Sequence, residues 1–513
     1  MKITVKKQVT CGLNIEKYVH MKQTYFILLA FTFIVLLFAN SCSESKIAYN
    51  TNGKLSFSTD TLSFDTVFAT IGSTTGSFMV YNHNSQPITI QSILLTHGVT
   101  SGFHINVDGT NPTNNEVQNV EIRAHDSIYI FVAITVNPLL QNNPVLIEDS
   151  ILFQTNNSRQ TVKLQAYGQN VTIFRSKTIH NDTTLTNIRP YLIYNYLAID
   201  NAKTLTLQPG TKLYFHQNAS LLLKGNLVAE GGQSANKQII MRGDRLDWLF
   251  PNVPYNYLSG QWGGMQFLGS QSTYSLNHVI MTSGKVAINI PNGTTLNQPT
   301  VSIANSRIQN FDSCGITAIN ANLNMYNTEI SNCKSYCLLF LGGNYLLTHN
   351  TIANYYNDVY TGKQRDGNPS VILMNKQPLT PQSTIFPLVF TANNCVIAGS
   401  MANELSLADT AQTNVFQFHF DHCYLTSPAI SSTNMTNIIW GKPQDDLFVS
   451  TTMDKSYYDF QPDSLSVLRG KANPIISHTS PYQYDMNGID RFWNNLPDIG
   501  AYEWIPKNGI PNP

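Results

Sequence analysis

Val301-Ser-Ile-Ala-Asn-Ser-Arg-Ile308, Leu323-Asn-Met-Tyr-Asn-Thr-Glu-Ile330 and Tyr345-Leu-Leu-Thr-His-Asn-Thr-Ile352 are one pattern written three times, at intervals of 22 residues. In each, two apolar residues at alternate positions lead into Asn-x-x-Ile or His-x-x-Ile. Further copies flank these. Asn277 to Ile280 lies 28 residues ahead of Asn305 to Ile308, Asn393 to Val396 lies 44 after the His349 copy, and Asp421 to Tyr424 a further 28 on, behind Phe416 and Phe418. Asn310, Asn332 and Asn354 also repeat at 22, and Cys395 and Cys423 share a column at 28. A period near 22 with strand alternation inside each unit, and no amphipathic helical pattern, predicts a parallel β-helix.

In such a coil each turn lies on the next at about 4.8 Å, so equivalent side chains form columns. Like charges in a column repel, whereas Asn donates and accepts at once. Each Asn of the frame is therefore read as a ladder residue before a ligand contact. The composition agrees: only 12% of the 513 residues are charged, with 31 basic and 31 acidic. Residues 1–41 hold five Lys and one Glu, so the chain from Cys42 onward carries 26 basic and 30 acidic groups. That balance argues against a nucleic-acid partner.

Ahead of the coil, residues 55–172 read as short alternating strands. Ile128, Ile130, Val132, Ile134 and Val136 repeat at period two, and Phe64–Phe68, Ser77–Tyr81, Ile88–Leu94, Asp149–Phe153 and Thr161–Ala166 are further strands. Some seven strands in such a length predict an immunoglobulin-like sandwich. The expected fold class is all-β: an N-terminal Ig-like sandwich followed by a right-handed single-stranded parallel β-helix. The expected divisions are a leader over 1–41, a lipidated linker over 42–54, the sandwich over 55–172, a connector over 173–200, the β-helix over 201–430, and irregular coils with a closing motif over 431–513.

Phe64-Asp65-Thr66-Val67-Phe68, Val80-Tyr81-Asn82 and Pro87-Ile88-Thr89-Ile90 resemble the Ig-like domains of the ASH type, which implies a stalk. Leu205 to Thr211, Gly225 to Gly231 and Gln261 to Phe267 look like opening coils of exported right-handed β-helices. Asp485 to Arg491 and Pro497 to Glu503 resemble the closing motif of Bacteroidetes β-helix lipoproteins. The resemblance covers most of 176–506 and implies fold and location, not activity. Other proteins of this pectate-lyase-like fold are lyases, glycoside hydrolases or adhesins.

The address lies at the start. Met21-Lys22 precedes an apolar run from Tyr25 to Phe38 and then Ala39-Asn40-Ser41-Cys42, too short to span a bilayer and laid out as a secretory signal. Residues 1–20 carry no signal logic, so Met21 is the expected start. A small residue before a Cys at this point resembles the lipobox of bacterial lipoproteins, which implies acylation of Cys42 and a membrane partner. Ser43-Glu44-Ser45 looks like a surface-export tail, which implies an outer-membrane protein at the cell surface. Of seven Cys, Cys314, Cys333, Cys337, Cys395 and Cys423 remain for the mature chain, in no zinc-binding spacing. They are read as buried small residues, with room for one bridge. Neither metal nor cofactor is implied.

Two stretches interrupt the repeat, and loops on a rigid coil are where function concentrates. The first is Arg242-Gly243-Asp244-Arg245-Leu246-Asp247-Trp248, followed by Tyr255, Tyr257 and Trp262. The second runs from Tyr355-Tyr356-Asn357-Asp358 through Tyr360 and Lys363 to Arg365-Asp366. Aromatic rings beside polar groups suit sugars. The ligand-binding candidates are Trp248, Tyr255, Tyr257, Trp262, Tyr355, Tyr356 and Tyr360. Glycan cleavage needs two carboxylates, or a basic residue to take a ring proton. Asp244, Asp247, Asp358 and Asp366 are candidate acids, and Lys363 and Arg365 candidate bases or clamps. The alternative is that both stretches brace the coil, with Arg245 and Asp247 paired. No acidic column exists at the coil period, so binding of extended glycans or host-surface polymers is the expected function, with a polysaccharide lyase or glycoside hydrolase and an envelope spacer as alternatives.

Overall fold

The computed structural model describes residues 54–507 and 509, except 157, 251–252, 292, 295, 377–384, 410–414 and 453–457. The leader, Cys42 and Ser43-Glu44-Ser45 lie outside the described residues.

Period-two alternation in the N-terminal part produces a sandwich. One sheet runs in the order Ser56–Phe57, Gly76–Asn82, Asp126–Ile134, Phe103–Val107; the other in the order Thr61–Phe68, Ser158–Gln169, Val145–Thr155, Ile88–Leu95, Glu116–Ile122. Ile128, Ile130, Val132, Ile134 and Val136 all point into the core between them, against Phe78, Phe103 and Phe153. Full burial of each such side chain stabilises by about 1.5–3 kcal/mol.

A single parallel ladder of 26 strands follows, from Thr172–Ile179 to Ile439–Gly441. Residues 173–200, expected as a connector, already pair in parallel as its first coils, with Thr172 opposite Tyr191 and Ile179 opposite Ile199. Each coil has three sides. Lys212–Phe215, Ile239–Gly243, Val279–Thr282, Arg307–Phe311, Glu329–Cys333, Thr351–Asn354 and Val396–Gly399 stack as the first face. Ser220–Leu223, Gly264–Phe267 and Val286–Ile290 begin the second face, and Asn226–Glu230, Thr273–Asn277 and Thr300–Ala304 lie on the third.

Register fixes which residues are inside. Leu213, Met241, Met281, Ile308, Ile330, Ile352, Ile397 and Leu425 form one buried inner column. The three central copies of the motif therefore carry their Ile as expected, but the flanking copies are displaced by one residue. Ile280, Val396 and Tyr424 point outward, and Met281, Ile397 and Leu425 take their places inside. A one-residue slip moves a strand's side chains to the opposite face. The column of corner residues shifts likewise to His278, Asn305, Asn327, His349, Asn394 and His422, all with φ between 45° and 54°. Left-handed backbone is tolerated by Asn and His far better than by bulky residues, which adds a reason for the polar corner. The amide ladder exists locally, with Asn305 Nδ2 donating to Asn277 Oδ1 at 2.9 Å and Asn327 Nδ2 to Asn305 Oδ1 at 3.1 Å. Cys314, Cys333, Cys337, Cys395 and Cys423 are buried and unbridged.

The first face is covered along much of its length. Over the earliest coils its outward Leu192, Tyr194 and Tyr214 meet Phe68 and Ile71 of the sandwich. Over later coils its outward Ala353, Val396, Ala398 and Tyr424 meet Leu447, Phe448, Phe460, Leu468 and Ile499. Residues 442–452 and 458–507, expected as terminal coils, thus turn back along the flank as a strap. The closing motif is what fastens it. Arg491 pairs with Glu503 at 2.7 Å, both fully buried, and donates to Asn327 Oδ1 at 2.9 Å. Asp485 accepts from the amides of Asn487, Ile489 and Glu503, and Asp498 from those of Gly470 and Trp504. Gly500 has φ 110°, and a Cβ there would lie 2.8 Å from Thr351 Oγ1, so only glycine fits.

Candidate functional site

Both interruptions leave the coil at the same corner, between its first and second faces. The earlier one lies between Ile239–Gly243 and Gly264–Phe267, and the later between Thr351–Asn354 and Val371–Met374. Short corners at Gly284, Asp312 and Lys334 separate them along the axis, yet the insertions touch. Ser259 and Tyr356 share a hydrogen bond of 2.8 Å, and the rings of Phe250 and Tyr360 lie 5.8 Å apart. The first insertion is laid down the corner by Gly260 N to Gly284 O at 3.0 Å, Gln261 N to Ser283 O at 2.8 Å and Asn310 Nδ2 to Tyr257 O at 2.5 Å. The second reaches up with Lys363 Nζ on Asp312 Oδ1 at 3.0 Å. Together they make one wall along the coil.

Each candidate acid or base has a partner that explains its place. Arg245 grips Asp247 through two bonds of 2.8 and 2.6 Å and lies 4.0 Å over the Tyr255 ring, the brace considered in the sequence. Asp247 also accepts from Thr74 Oγ1 of the sandwich at 3.4 Å. Asp244 meets His216 at 2.7 Å. Asp358 is buried and holds a turn, accepting from the amides of Tyr360 and Thr361 at 3.1 Å and from the Thr361 hydroxyl at 2.6 Å. Asp366 faces Lys334 at 3.4 Å. Arg365 is buried against Glu404 and also donates to the carbonyls of Asn354 and Asn368.

Among the aromatic candidates, Trp262 is a core residue. It is fully buried, stacked on Phe215 at 4.3 Å, with its indole N–H on Thr282 O at 2.8 Å. It opens the Gly264–Phe267 strand, and its size seals the corner below the insertion. Tyr356 is likewise buried, as the pin between the insertions. Trp248 is exposed; Tyr255, Tyr257, Tyr355 and Tyr360 are half-buried.

The strap supplies the opposite wall of a groove over the first face. Ile280, Thr282, Arg307 and Gln309 floor it, with Asn256 and Tyr257 on the insertion side and Tyr458, Asp459 and Gln461 on the strap side, enclosing about 390 Å³. Beyond Tyr458, which lines both, a depression of about 680 Å³ lies between Tyr355, Tyr356 and Val359 and the strap residues Pro443, Thr451 and Thr452. Burial pushes the Tyr458 phenol up to about 12 and raises those of Tyr355 and Tyr356. These groups are therefore neutral donors at physiological pH. Arg307 stands 3.4 Å from Glu329 and donates to Tyr502 Oη at 3.1 Å, while Glu329 accepts from Tyr502 and from Ser331. Among the described residues no three His, Cys, Asp or Glu converge to hold a metal ion.

The sequence reading missed Arg307, Gln309, Tyr458, Asp459 and Gln461. Arg307 and Gln309 could have been found as outward positions of a motif strand. The strap residues carry no local signal, since their place depends on contacts far away in the chain, such as Arg307 to Tyr502, 195 residues apart.

No family model matches the chain, and no curated protein matches it. Among solved structures, one similar chain is a family 123 glycoside hydrolase from Clostridium perfringens, studied for glycolipid glycan hydrolysis. It is 9% identical over 24% of this chain and 30% of that one, with a TM-score of 0.17. Another is the ASH/PapD-like domain of human CEP192, 11% identical over 25% of this chain and 94% of that one, with a TM-score of 0.16.

Proposed function

We propose that the chain is an exported lipoprotein of the Bacteroidetes type, anchored to the outer membrane through Cys42 and exposed at the cell surface, whose β-helix binds extended glycans or host-surface polymers. The observation that carries the glycan reading is the wall formed where the two insertions meet at Ser259 and Tyr356, facing the strap across a tyrosine-lined groove. A groove parallel to the coil axis suits a chain rather than a compact ligand, and neutral phenols beside Gln and Asn side chains suit hydroxyl groups. Binding is favoured over cleavage because the six candidate acids and bases each hold a turn, an insertion or a domain contact.

The experiment is incubation of the chain from Lys46 onward with a polysaccharide panel, reading retained protein and shortened products in the same samples. Retention without shortening is expected, weakened about tenfold by Tyr257→Ala or Tyr458→Ala. Shortened products would make the protein an enzyme. No retention on any polysaccharide would leave an envelope spacer.

A further inference from the structure

The sandwich and the coil enclose a second cavity that the groove does not reach. About 490 Å³ in volume, it lies between the Thr61–Phe68 strand with the turn after it and the coil's Tyr194, His216 and Asp244 to Trp248. That size is ordinary for a small-ligand site. Its two walls touch only lightly on the polar side, through Thr74 on Asp247, whereas the apolar joint of Phe68 with Tyr214 behind it is firm, with ring centroids 5.3 Å apart.

The cleft gathers the groups that recognise a sugar ring. Trp248 projects from its rim with 53% of its surface exposed. An indole on a surface is costly to leave in water and offers a flat apolar face to the C–H side of a pyranose. Asp244 and Asp247 are held in place by His216 and Arg245, so their orientation is set before any ligand arrives. A carboxylate accepts from hydroxyls, and the Arg245 N–H groups not engaged by Asp247 and the hydroxyl of Thr75 donate to ring and hydroxyl oxygens, while the Thr74 hydroxyl is held on Asp247. Charge selects the class. Three carboxylates, Asp65, Asp244 and Asp247, stand against two guanidinium groups, Arg245 on the lining and Arg242 behind it, so an acidic sugar would meet a net excess of like charge where an uncharged one meets acceptors.

We infer that the cleft between sandwich and coil is a binding subsite for an uncharged sugar unit, with Trp248 as the stacking ring, Asp244 and Asp247 as acceptors, and the turn at Ser73 to Thr75 as the opposing wall. The sandwich is then half of a site and not a stalk. The ligand class rests on the glycan reading above; the location does not.

The test titrates the chain from Ser43 onward with cellohexaose, mannohexaose and tetragalacturonate by calorimetry and by tryptophan fluorescence. At least one neutral hexasaccharide binds, and tetragalacturonate does not. Trp248→Ala and Thr75→Arg, both at exposed positions, each weaken binding about tenfold while the melting temperature stays within about 2 °C. Trp248→Phe keeps most of the affinity but loses the fluorescence change, which a merely structural role would not produce. Unchanged affinity in both Trp248→Ala and Thr75→Arg, or a preference for the uronate, overturns the inference. If those variants bind normally but Tyr257→Ala and Tyr458→Ala do not, the cleft is excluded and the groove reading stands. If no oligosaccharide binds, both fall.

Discussion

Arg365 and Glu404 meet in a bidentate pair of 2.6 and 2.8 Å, with only 6% and 0% of their side chains exposed. Glu404 also accepts from the amide and hydroxyl of Ser370 and from the amide of Met401. The pair thus ties the second insertion to the next coil, and the fixed position of the loop depends on it. Removing one partner leaves a buried charge, at a cost of about 3–5 kcal/mol. Arg365→Leu and Glu404→Leu should each lower the melting temperature sharply, and the double variant should lose less than the sum of the two. Strict additivity in a double-mutant cycle would show that the side chains are not coupled.

The two exposed and buried tryptophans of the first insertion should behave oppositely. Trp262 fills the coil interior beside Phe215 and Phe311, so Trp262→Ala should cost about 3–5 kcal/mol of stability. Trp248→Ala should change stability by no more than about 0.5 kcal/mol. Denaturant melts of the two variants check this, and equal losses would contradict the assignment of Trp262 to the core.

His349 titrates against the strap. Burial, then the nearby charge of Arg491, holds its pKa well below the ordinary 6.5, and its ring nitrogens face Ser477 Oγ at 2.8 Å, Asn394 Nδ2 at 2.9 Å and the Gly500 carbonyl at 3.3 Å. The folded state binds the proton less readily than the unfolded chain. Stability is therefore full above pH 6.5 and declines as pH falls below it. Thermal melts between pH 7 and 5 should show a smaller decline in His349→Gln than in the parent; identical slopes would remove His349 as the titrating group.

Cys42→Ser should shift the protein from the membrane to the soluble fraction of the producing cell, since acyl chains are what hold a lipoprotein to the bilayer. A variant still recovered with membranes would show that Cys42 is not the anchor.

The coil was legible because stacking forces its inner positions to repeat, as Ile308, Ile330 and Ile352 do at 22-residue spacing. The flanking copies slipped at Asn277-His278, Asn393-Asn394 and Asp421-His422, where the second residue of a polar pair takes the corner, whereas in His349-Asn350 the first does. Either member fits a polar corner, and only the backbone angle distinguishes them. The brace between Arg245 and Asp247 was readable because it is local. The burial of Tyr356, the pairing of Arg365 with Glu404 and the strap wall of the groove were not, because each depends on a partner brought in by tertiary packing from 39 to more than 90 residues away. Aromatic composition located the insertions but could not separate Trp262, which the coil consumes, from Trp248, which it leaves outside.

A stack of coils held only by its neighbours would melt like a zipper, from whichever end is weaker. The strap alters that behaviour. Gln233 donates to the Asn487 carbonyl at 2.6 Å, Arg491 reaches Asn327, Ala501 N bonds Thr351 Oγ1 at 3.0 Å, and Asn473 bonds Asp421 at 2.9 Å, so one continuous peptide is stitched to turns far apart along the axis. No coil between those stitches can fray without also tearing the strap from the rest. The domain is thereby converted from a one-dimensional array into a cooperative unit that opens all at once, and its last coils, which have few neighbours of their own, share the stability of the middle.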